Sequence, residues 1–310
     1  MLLHTFDFFA HRRKKHKRLA LAMMVRDEDD IIERNIRFHA HYGVEKFFIV
    51  NNASIDKTQD ILQKMQADFN IWLEHEPDAT SYRTMQASTM TRLNQISKQE
   101  GFNWVINCDA DEFWLPLQTN NLKDLLDNRV GTVTAQRANV LPCTEIPDIL
   151  QSPYIIDNPI NYPNRRDLKQ YFNFMLEDPS GKVITQTHGL KKLRHGNHKC
   201  EHASYDFPCS RNIRKYNITL AKEQALCFHF QVRSIEQFSK RIAVDKSVMG
   251  DPKRKSSVQR GYRLAQLQTK SLEEVYADYV FSTNELQVLE KFHVVIRNTA
   301  FIEAYDRVFS

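Results

Sequence analysis

Three carboxylates stand within four positions directly after a hydrophobic run. Asp109, Asp111 and Glu112 follow residues 104–106 in the segment WVINCDADEFW. Asp109 and Asp111 are two residues apart on a chain that leaves a strand, so a tight turn can aim both side chains at one point. Paired oxygen donors suit Mg²⁺ or Mn²⁺, which would neutralise the charge that develops on a phosphate leaving group. The alternative is a solvated acidic turn in which Asp111 caps a helix.

Two further polar clusters follow apolar runs earlier in the chain. The run Leu19–Val25 is followed by RDEDD, and the run at residues 47–50 is followed by NNAS. Strand-like runs alternate with helical segments, which predicts right-handed crossovers and an α/β fold with a mainly parallel sheet flanked by helices. Ligands bind outside the carboxyl ends of the strands in such sheets. We therefore expect the three clusters to form one composite site.

The remaining hydrophobic patterns predict the other elements. A helix is expected from Asp29 or Asp30 to Gly43, and a long helix from about Tyr82 to Gln99. The Pro-rich and Asn-rich residues 142–164 indicate a loop or lid. Further segments are predicted as a helix through 61–65, strands at 71–73 and 130–135, and helices at 234–248, 256–270, 272–280 and 285–305. The chain is thus divided into a basic tail (1–18), an α/β domain (19–232, with halves at about 19–140 and 141–232) and a C-terminal helical extension (233–310).

Composition limits the class of protein. The 310 residues are 42% hydrophobic, enough for one large core, and no apolar run approaches the roughly 20 residues of a membrane-spanning helix. The start MLLHTFDFFA is a poor signal peptide, which predicts a cytoplasmic protein. The five cysteines are scattered without a repeated spacing, which is typical of reduced thiols. The segment HGNHKCEH contains zinc-ligand types, but its spacings do not match the common paired patterns.

The net charge of +5 is concentrated near the N-terminus. Residues 11–18, HRRKKHKR, contain six Lys or Arg and no acidic residue. Such a segment can bind an anionic membrane surface peripherally, contact nucleic acid, or simply be a solvated tail. Acidic clusters at three strand ends would repel a phosphate backbone, so we expect no nucleic-acid partner.

Several of these segments together resemble a known family. They are MMVRDEDDIIERNIRFHAHYGVEKFFIVNNASIDKTQDIL (23–62), WVINCDADEFW (104–114), HGNH (195–198) and HFQVRSIEQF (229–238). The combination resembles the glycosyltransferase family 2-like proteins with a GT-A fold, and the same layout is found in the related family 92 type. The resemblance covers most of residues 19–242.

The resemblance implies transfer of a sugar from a nucleotide-sugar donor, typically a UDP-sugar, to an acceptor hydroxyl with inversion at the anomeric carbon. It further implies Mn²⁺ or Mg²⁺ as cofactor and a glycan or lipid-linked acceptor in surface polysaccharide synthesis. Asp109 and Asp111 match its metal and diphosphate motif. The nucleotide-binding positions match Arg26, Asp27 and Glu28 after the first strand, and Asn51, Asn52, Ser54 and Asp56 after the second.

The second of these loops departs from the family pattern DNGSTDGT. Asn51 stands where the family has Asp, and Ala53 and Lys57 stand where it has Gly. The loop should therefore be stiffer. Recognition of the base or ribose through Asn51 should use an uncharged side chain. Asp56 with Gln59 alternatively resembles a helix N-cap pair, and Arg26 alternatively pairs with Asp27 or Asp29.

An inverting transfer needs a residue that takes the acceptor's proton. The later segment offers His198, Glu201 and Asp206, of which His198 lies in HGNH and has a suitable unperturbed pKa. His198 and His229 are alternatively metal ligands or buried histidines; we take His229 as a third metal ligand. Glu112 is the other candidate for a catalytic role, with the orientation of neighbouring loops as its alternative. Trp114 is either core or a platform for the acceptor sugar.

Two other function classes compete with glycosyl transfer. A nucleotidyltransferase would use similar metal-bound carboxylates, but it normally has a Gly-rich phosphate loop after the first strand, and VRDEDD contains no glycine. A non-catalytic relative that binds membrane or nucleic acid through the basic segment is the third class.

The tail leads to a test. Deleting Met1 to Lys17 should weaken association with anionic vesicles, because most of the clustered positive charge is removed, and should leave turnover of a soluble acceptor nearly unchanged. Vesicle co-sedimentation and an activity assay measure the two effects. Equal loss of both would show that the tail belongs to the fold.

Overall fold

The computed structural model describes residues 16–77, 82–160, 173–177, 179–202, 217–249 and 258–310. Most of the predicted basic tail, together with Asp206 and Cys209, lies outside the described residues. The chain forms two compact units: a first unit of Met1–Arg137 with Ser180–Cys227, and a second unit of Ala138–Pro179 with Phe228–Ser310. Segment 138–179 thus groups with the C-terminal part, whereas the sequence-based division runs in chain order with boundaries near 140 and 232.

The elements are as follows. The strands are β1 (Leu19–Val25), β2 (Lys46–Asn52), β3 (Ile71–Glu76), β4 (Trp104–Asn107), β5 (Glu112–Pro116), β6 (Thr132–Asn139), β7 (Tyr154–Ile156), β8 (Lys182–Gln186), β9 (Leu190–Leu193), β10 (Cys200–His202), β11 (Asn217–Thr219), β12 (Ala225–His229) and β13 (Val295–Arg297). The α-helices are α1 (Ile32–His41), α2 (Thr58–Met65), α3 (Tyr82–Gln99), α4 (Ile235–Met249), α5 (Val258–Gln266), α6 (Leu272–Ala277), α7 (Thr283–Lys291) and α8 (Ala300–Phe309).

One sheet organises the first unit. Its strand order is β3-β2-β1-β4-β8-β6-β12-β5, with β11 paired to β6. Strands β3, β2, β1 and β4 are mutually parallel, and β8 runs antiparallel to β4 and β6. With helices beside a mainly parallel sheet and a helical C-terminal part, this is a GT-A-like α/β fold, and the fold-class prediction is confirmed.

The parallel strands form where continuous apolar runs can be buried on both faces. All seven residues of β1 are buried, and Ala20, Ala22 and Met24 join a core cluster with Phe48 of β2 and Leu93 of α3. A run without polar alternation is stable only as an inner strand covered on both sides. The buried runs therefore fix β1 at an inner position between β2 and β4.

Helix α1 ends where the sequence predicts but begins later. The Gly43 N–H donates to Ala40 O, and Gly43 has φ +99°, where any side chain would also meet Asn121. The start at Asp29 or Asp30 is wrong, because those residues lie in a turn and α1 begins at Ile32 without a side-chain cap.

The last predicted helix, 285–305, is wrong as one element. Helix α7 ends at Lys291, His293 adopts φ +56°, and Val295–Arg297 form β13, which pairs antiparallel with β7 before α8 begins. Val295 is fully buried in the core of the second unit. Backbone pairing with a distant strand overrides the local helical pattern. That strand, β7, lies inside the segment interpreted as a loop.

The described residues give two findings on the cysteines and the helices. Cys108, Cys143, Cys200 and Cys227 are free thiols. No helix among the described residues is long and apolar enough to cross a membrane.

Helix α1 buries His39, which leads to a pH prediction. Burial lowers the pKa of His39 from 6.5 to about 4. Between these values the unfolded chain binds the proton more readily, so the free energy of unfolding falls as the pH falls. At 1.36 kcal/mol per pKa unit, the His39 share is about 3 kcal/mol between pH 6.5 and 4. We expect the free energy of unfolding to fall less for His39→Gln than for the wild type over that pH range, and the difference should equal the His39 share. Urea unfolding measures both.

The control is His41→Gln, on the same helix but exposed. It should lose stability with falling pH as the wild type does. Identical pH profiles for His39→Gln and the wild type would contradict the prediction.

Candidate functional site

The loops after β1 and β2 are joined to each other by hydrogen bonds. The Asp27 N–H donates to Ser54 Oγ at 3.0 Å, and the Ile55 N–H donates to Asp27 Oδ1 at 2.7 Å. The Glu28 N–H donates to Thr58 Oγ1 at 2.8 Å. Neighbouring parallel strands end at the same edge of the sheet, which permits these contacts. The first two predicted clusters therefore form one surface.

The β2 loop is also fixed internally. Asn51 donates from Nδ2 to Gln59 Oε1 at 2.6 Å and accepts from Ser54 Oγ at 2.5 Å. Asp56 accepts from the Thr58 N–H at 2.9 Å. The predicted Asp56–Gln59 cap pair is therefore wrong, because Lys57 is the N-cap residue of α2, without a side-chain cap, and Gln59 contacts Asn51 instead. The Arg26 guanidinium lies 3.5 Å from Asp27, as its alternative reading expects.

Ala53 occupies the position where the resembled family has glycine. It adopts φ +50°, a left-handed conformation that costs a residue with a Cβ roughly 1–2 kcal/mol. The loop thus keeps the backbone shape that glycine would allow freely, but in this chain that shape strains the backbone of Ala53.

The third cluster is the turn between β4 and β5, and a lysine lies among its carboxylates. Lys182 Nζ of β8 is 2.6 Å from Asp109 Oδ2 and 2.9 Å from Glu112 Oε1. Glu112 also accepts the Asp109 N–H at 3.1 Å, and Arg137 Nη1 lies 3.4 Å from its carboxylate. Two cations of the chain itself therefore offset the repulsion that the sequence DADE creates.

Burial makes this ion cluster energetically important. Lys182 and Glu112 are both 0% exposed. Burial alone would lower the pKa of Lys182, but the carboxylates of Asp109 and Glu112 raise it above its ordinary value. Burial raises the pKa of Glu112 to about 7, against the opposing effect of Lys182. The ammonium therefore stays charged, while Glu112 takes up a proton more easily than an ordinary carboxylate.

Asp109 keeps one side open to a ligand. Its side chain is 29% exposed, and its Oδ1 receives only long contacts, from Asn197 Nδ2 at 3.4 Å and Gln86 Nε2 at 3.5 Å. Among the described residues nothing donates to Asn197 Oδ1, although that atom is buried. Carboxylate and amide oxygens are the donors that Mg²⁺ and Mn²⁺ prefer. The donor set at this turn fits such a cation.

His198 is held close to this turn. Its Nδ1 lies 2.9 Å from the Gly181 carbonyl, which can only accept, so Nδ1 carries the proton and Nε2 the lone pair. Burial, and then Lys182, lower its pKa to about 4. A Cβ at Gly196 would lie 2.6 Å from the ring, so only glycine fits beside it. His198 is thus a neutral, oriented imidazole.

The remaining predicted site residues differ in their burial and contacts. His229 belongs to the second unit, where its Nδ1 lies 2.9 Å from Asn139 Oδ1 and so donates to it. Glu201 pairs with Arg194 on the surface of the first unit. Asn52 and Asp111 are buried. Trp114 is fully buried in β5, which supports its core alternative.

Sequence reasoning missed the cations. Lys182 and Arg137 lie in strands β8 and β6 and have no spacing relation to DADE. Their only signal is a single charge inside a strand-forming run, as in GKVIT and AQRAN.

Comparison with known proteins gives low similarity. No protein-family model and no curated protein matches the chain. S. aureus TarS is 12% identical over 82% of this chain and 43% of its own, with a TM-score of 0.41. TarS 1-349 in complex with UDP is 13% identical over 94% of this chain and 89% of its own, at 0.41. A cytidylyltransferase from Leptospira borgpetersenii is 9% identical over 90% of this chain and 97% of its own, with a TM-score of 0.30.

The chain spans less than half of the longer TarS chain. All three TM-scores lie below 0.5, so the function proposed below rests on the residues of the site.

The buried ion cluster predicts a strong effect of Lys182→Met. Removing one partner of a buried pair leaves an uncompensated charge and typically costs about 3–5 kcal/mol. We expect a cost at the lower end of this range for Lys182→Met, because Glu112 can take up a proton and so lose its unpaired charge. Urea unfolding measures the loss.

The matched control is Lys123→Met, which removes a partly exposed pair with Glu45. It should cost less than about 1 kcal/mol. Equal unfolding midpoints for the two variants would refute the central role of Lys182.

Proposed function

We propose that the chain is a metal-dependent inverting glycosyltransferase that moves a sugar from a nucleotide-sugar, such as a UDP-sugar, to an acceptor hydroxyl. The observation that carries the proposal is the position of Asp109 and Asp111 directly after β4, at the same edge as the joined loops after β1 and β2. This is the edge where open parallel sheets bind ligands. A surface polysaccharide or lipid-linked glycan is the proposed acceptor, and the family 92 layout stays a resemblance.

The joined loops are the proposed nucleotide site. Arg26 would contact phosphate, while Asp27, Glu28 and Asp56 lie in the same loop pair. Loops fixed by several hydrogen bonds before the ligand arrives lose little conformational entropy on binding. Because the Asn51 amide is already bonded to Gln59 and Ser54, it would act mainly by shaping the loop.

Asp109 and Asp111 are the proposed metal ligands, with His229 as the third predicted one. When bound, Mn²⁺ or Mg²⁺ would neutralise charge on the leaving diphosphate. Lys182 fixes the orientation of the Asp109 carboxylate through the 2.6 Å contact. Ligand carboxylates that are themselves hydrogen-bonded bind metal more tightly.

The transfer step requires a base for the acceptor. The acceptor O–H gives its proton to the base as its oxygen bonds the anomeric carbon, and the bond from that carbon to the diphosphate breaks. We propose His198 Nε2 as this base, because Gly181 O fixes the opposite nitrogen as the donor. The fully buried Glu112 suits a positioning role better, and its catalytic role stays a prediction.

The proposal is tested with Mn²⁺ and a panel of UDP-sugars. One donor should bind and be slowly hydrolysed only with metal present, and EDTA should abolish turnover. Asp111→Asn should lose metal-dependent binding in calorimetry, because a metal ligand loses its charge.

The control variant is Asp60→Asn, an exposed carboxylate on α2. It should behave as the wild type. Absence of Mn²⁺ or Mg²⁺ binding at saturating UDP would overturn the proposal.

A further inference from the structure

Two buried polar residues of α1 are linked to the acidic turn, although neither belongs to a predicted site. Asn35 bonds the turn directly, and His39 bonds Asn35. Asn35 and His39 are both 0% exposed and stand one helical turn apart, so their side chains lie on one face of α1. That face packs against β5, where Phe38 of α1 meets Phe113 edge-on at 5.3 Å.

Asn35 uses its amide nitrogen on the turn itself. Nδ2 donates to the Ala110 carbonyl at 2.9 Å and to the Glu112 carbonyl at 2.7 Å. These two carbonyls flank Asp111 on either side. One side chain thus holds the backbone on both sides of a proposed metal ligand.

His39 fixes the orientation of Asn35. Its Nε2 lies 3.1 Å from the backbone nitrogen of Trp114. That N–H can only donate, so Nε2 is the acceptor. The proton is therefore on Nδ1, which lies 2.9 Å from both Asn35 O and Asn35 Oδ1. With Oδ1 accepting from His39, Nδ2 must face the turn. The His39 Nδ1–H on one side and the two turn carbonyls on the other therefore fix the orientation of the Asn35 amide.

The turn is also closed from within. The Glu112 N–H donates to Asp109 O at 3.1 Å, and the Asp109 N–H donates to Glu112 Oε2 at 3.1 Å. These bonds set the turn's shape, whereas Asn35 ties that shape to α1. A fully satisfied buried polar network specifies one geometry, which apolar packing of the same volume does not.

We propose that Asn35 and His39 are positioning residues that hold the Asp109–Asp111 turn in the geometry needed to bind the cation and the donor diphosphate. This inference rests on the proposed function for its catalytic consequence. Its structural consequence, a turn that is less fixed without the two residues, is independent of the reaction. Neither side chain touches substrate in this assignment; both act through the turn.

The experiment compares Asn35→Ala with Asn94→Ala. Asn94 is an equally buried asparagine on α3, and it bonds Asn107 and Thr185 in the sheet. Both variants lose buried hydrogen bonds, so both should lose stability in urea. Only Asn35→Ala should speed amide exchange at Asp109 and Glu112, and only it should weaken Mn²⁺ binding in the presence of UDP, by about tenfold or more.

For turnover, Asn35→Ala should lower kcat at saturating Mn²⁺ more than it raises the donor KM, because the ligands are misplaced after the donor has bound. Equal exchange rates and equal Mn²⁺ affinity in the two variants would overturn the proposal. If the wild type turned over no UDP-sugar, the proposed function would fail, while the exchange rates would still decide whether Asn35 positions the turn.

A second pair guards against misfolding of Asn35→Ala. His39→Gln keeps a donor for Asn35 and an acceptor for the Trp114 N–H, whereas His39→Leu keeps neither. Slow exchange in the turn and near wild-type Mn²⁺ binding in His39→Gln, with both lost in His39→Leu, would support the proposal. Equal behaviour of the two variants would overturn it.

Discussion

The arrangement of the acidic turn depends on one buried ammonium group. Lys182 lies within 3 Å of both Asp109 and Glu112, and without it two of the three neighbouring carboxylates would repel each other in a low-dielectric interior. Because Lys182 belongs to β8, the antiparallel strand beside β4, the insertion of that strand supplies the charge that the turn requires. The chain thus stabilises a concentration of negative charge with a cation of its own.

The cation also separates the roles of the carboxylates. Glu112 is buried behind Lys182 and Arg137 and accepts the Asp109 N–H, whereas Asp109 keeps part of its side chain exposed. The same acidic motif therefore contains one carboxylate that supports the turn and another that can meet a ligand. The lowered pKa of His198 has a related origin, since the ammonium adds to the effect of burial. Charge in the site is distributed by the fold as a whole.

Polar groups hold this edge of the sheet in place at several levels. The loops after β1 and β2 bond to each other, the acidic turn bonds to β8, and Asn35 with His39 joins the turn to α1. Ala53 adopts a left-handed backbone at the position of a family glycine, so the loop shape is retained against a steric cost. Such preorganisation is what the proposed transfer would need to orient a flexible, highly charged donor.

The sequence by itself determined the parallel part of the sheet, the long helix α3 and the placement of three polar clusters at one edge. Unbroken apolar runs such as β1 must be buried on both faces, and polar residues that follow neighbouring parallel strands lie at the same edge. Only the tertiary structure decided the rest. Lys182, Arg137 and Asn35 contact the turn from positions as far as 77 residues away along the chain, and His39 holds Asn35. No local pattern encodes such pairings. For the same reason the sequence pattern predicts helix where β13 pairs with β7. Strand pairing is a property of two segments, and a periodicity describes only one.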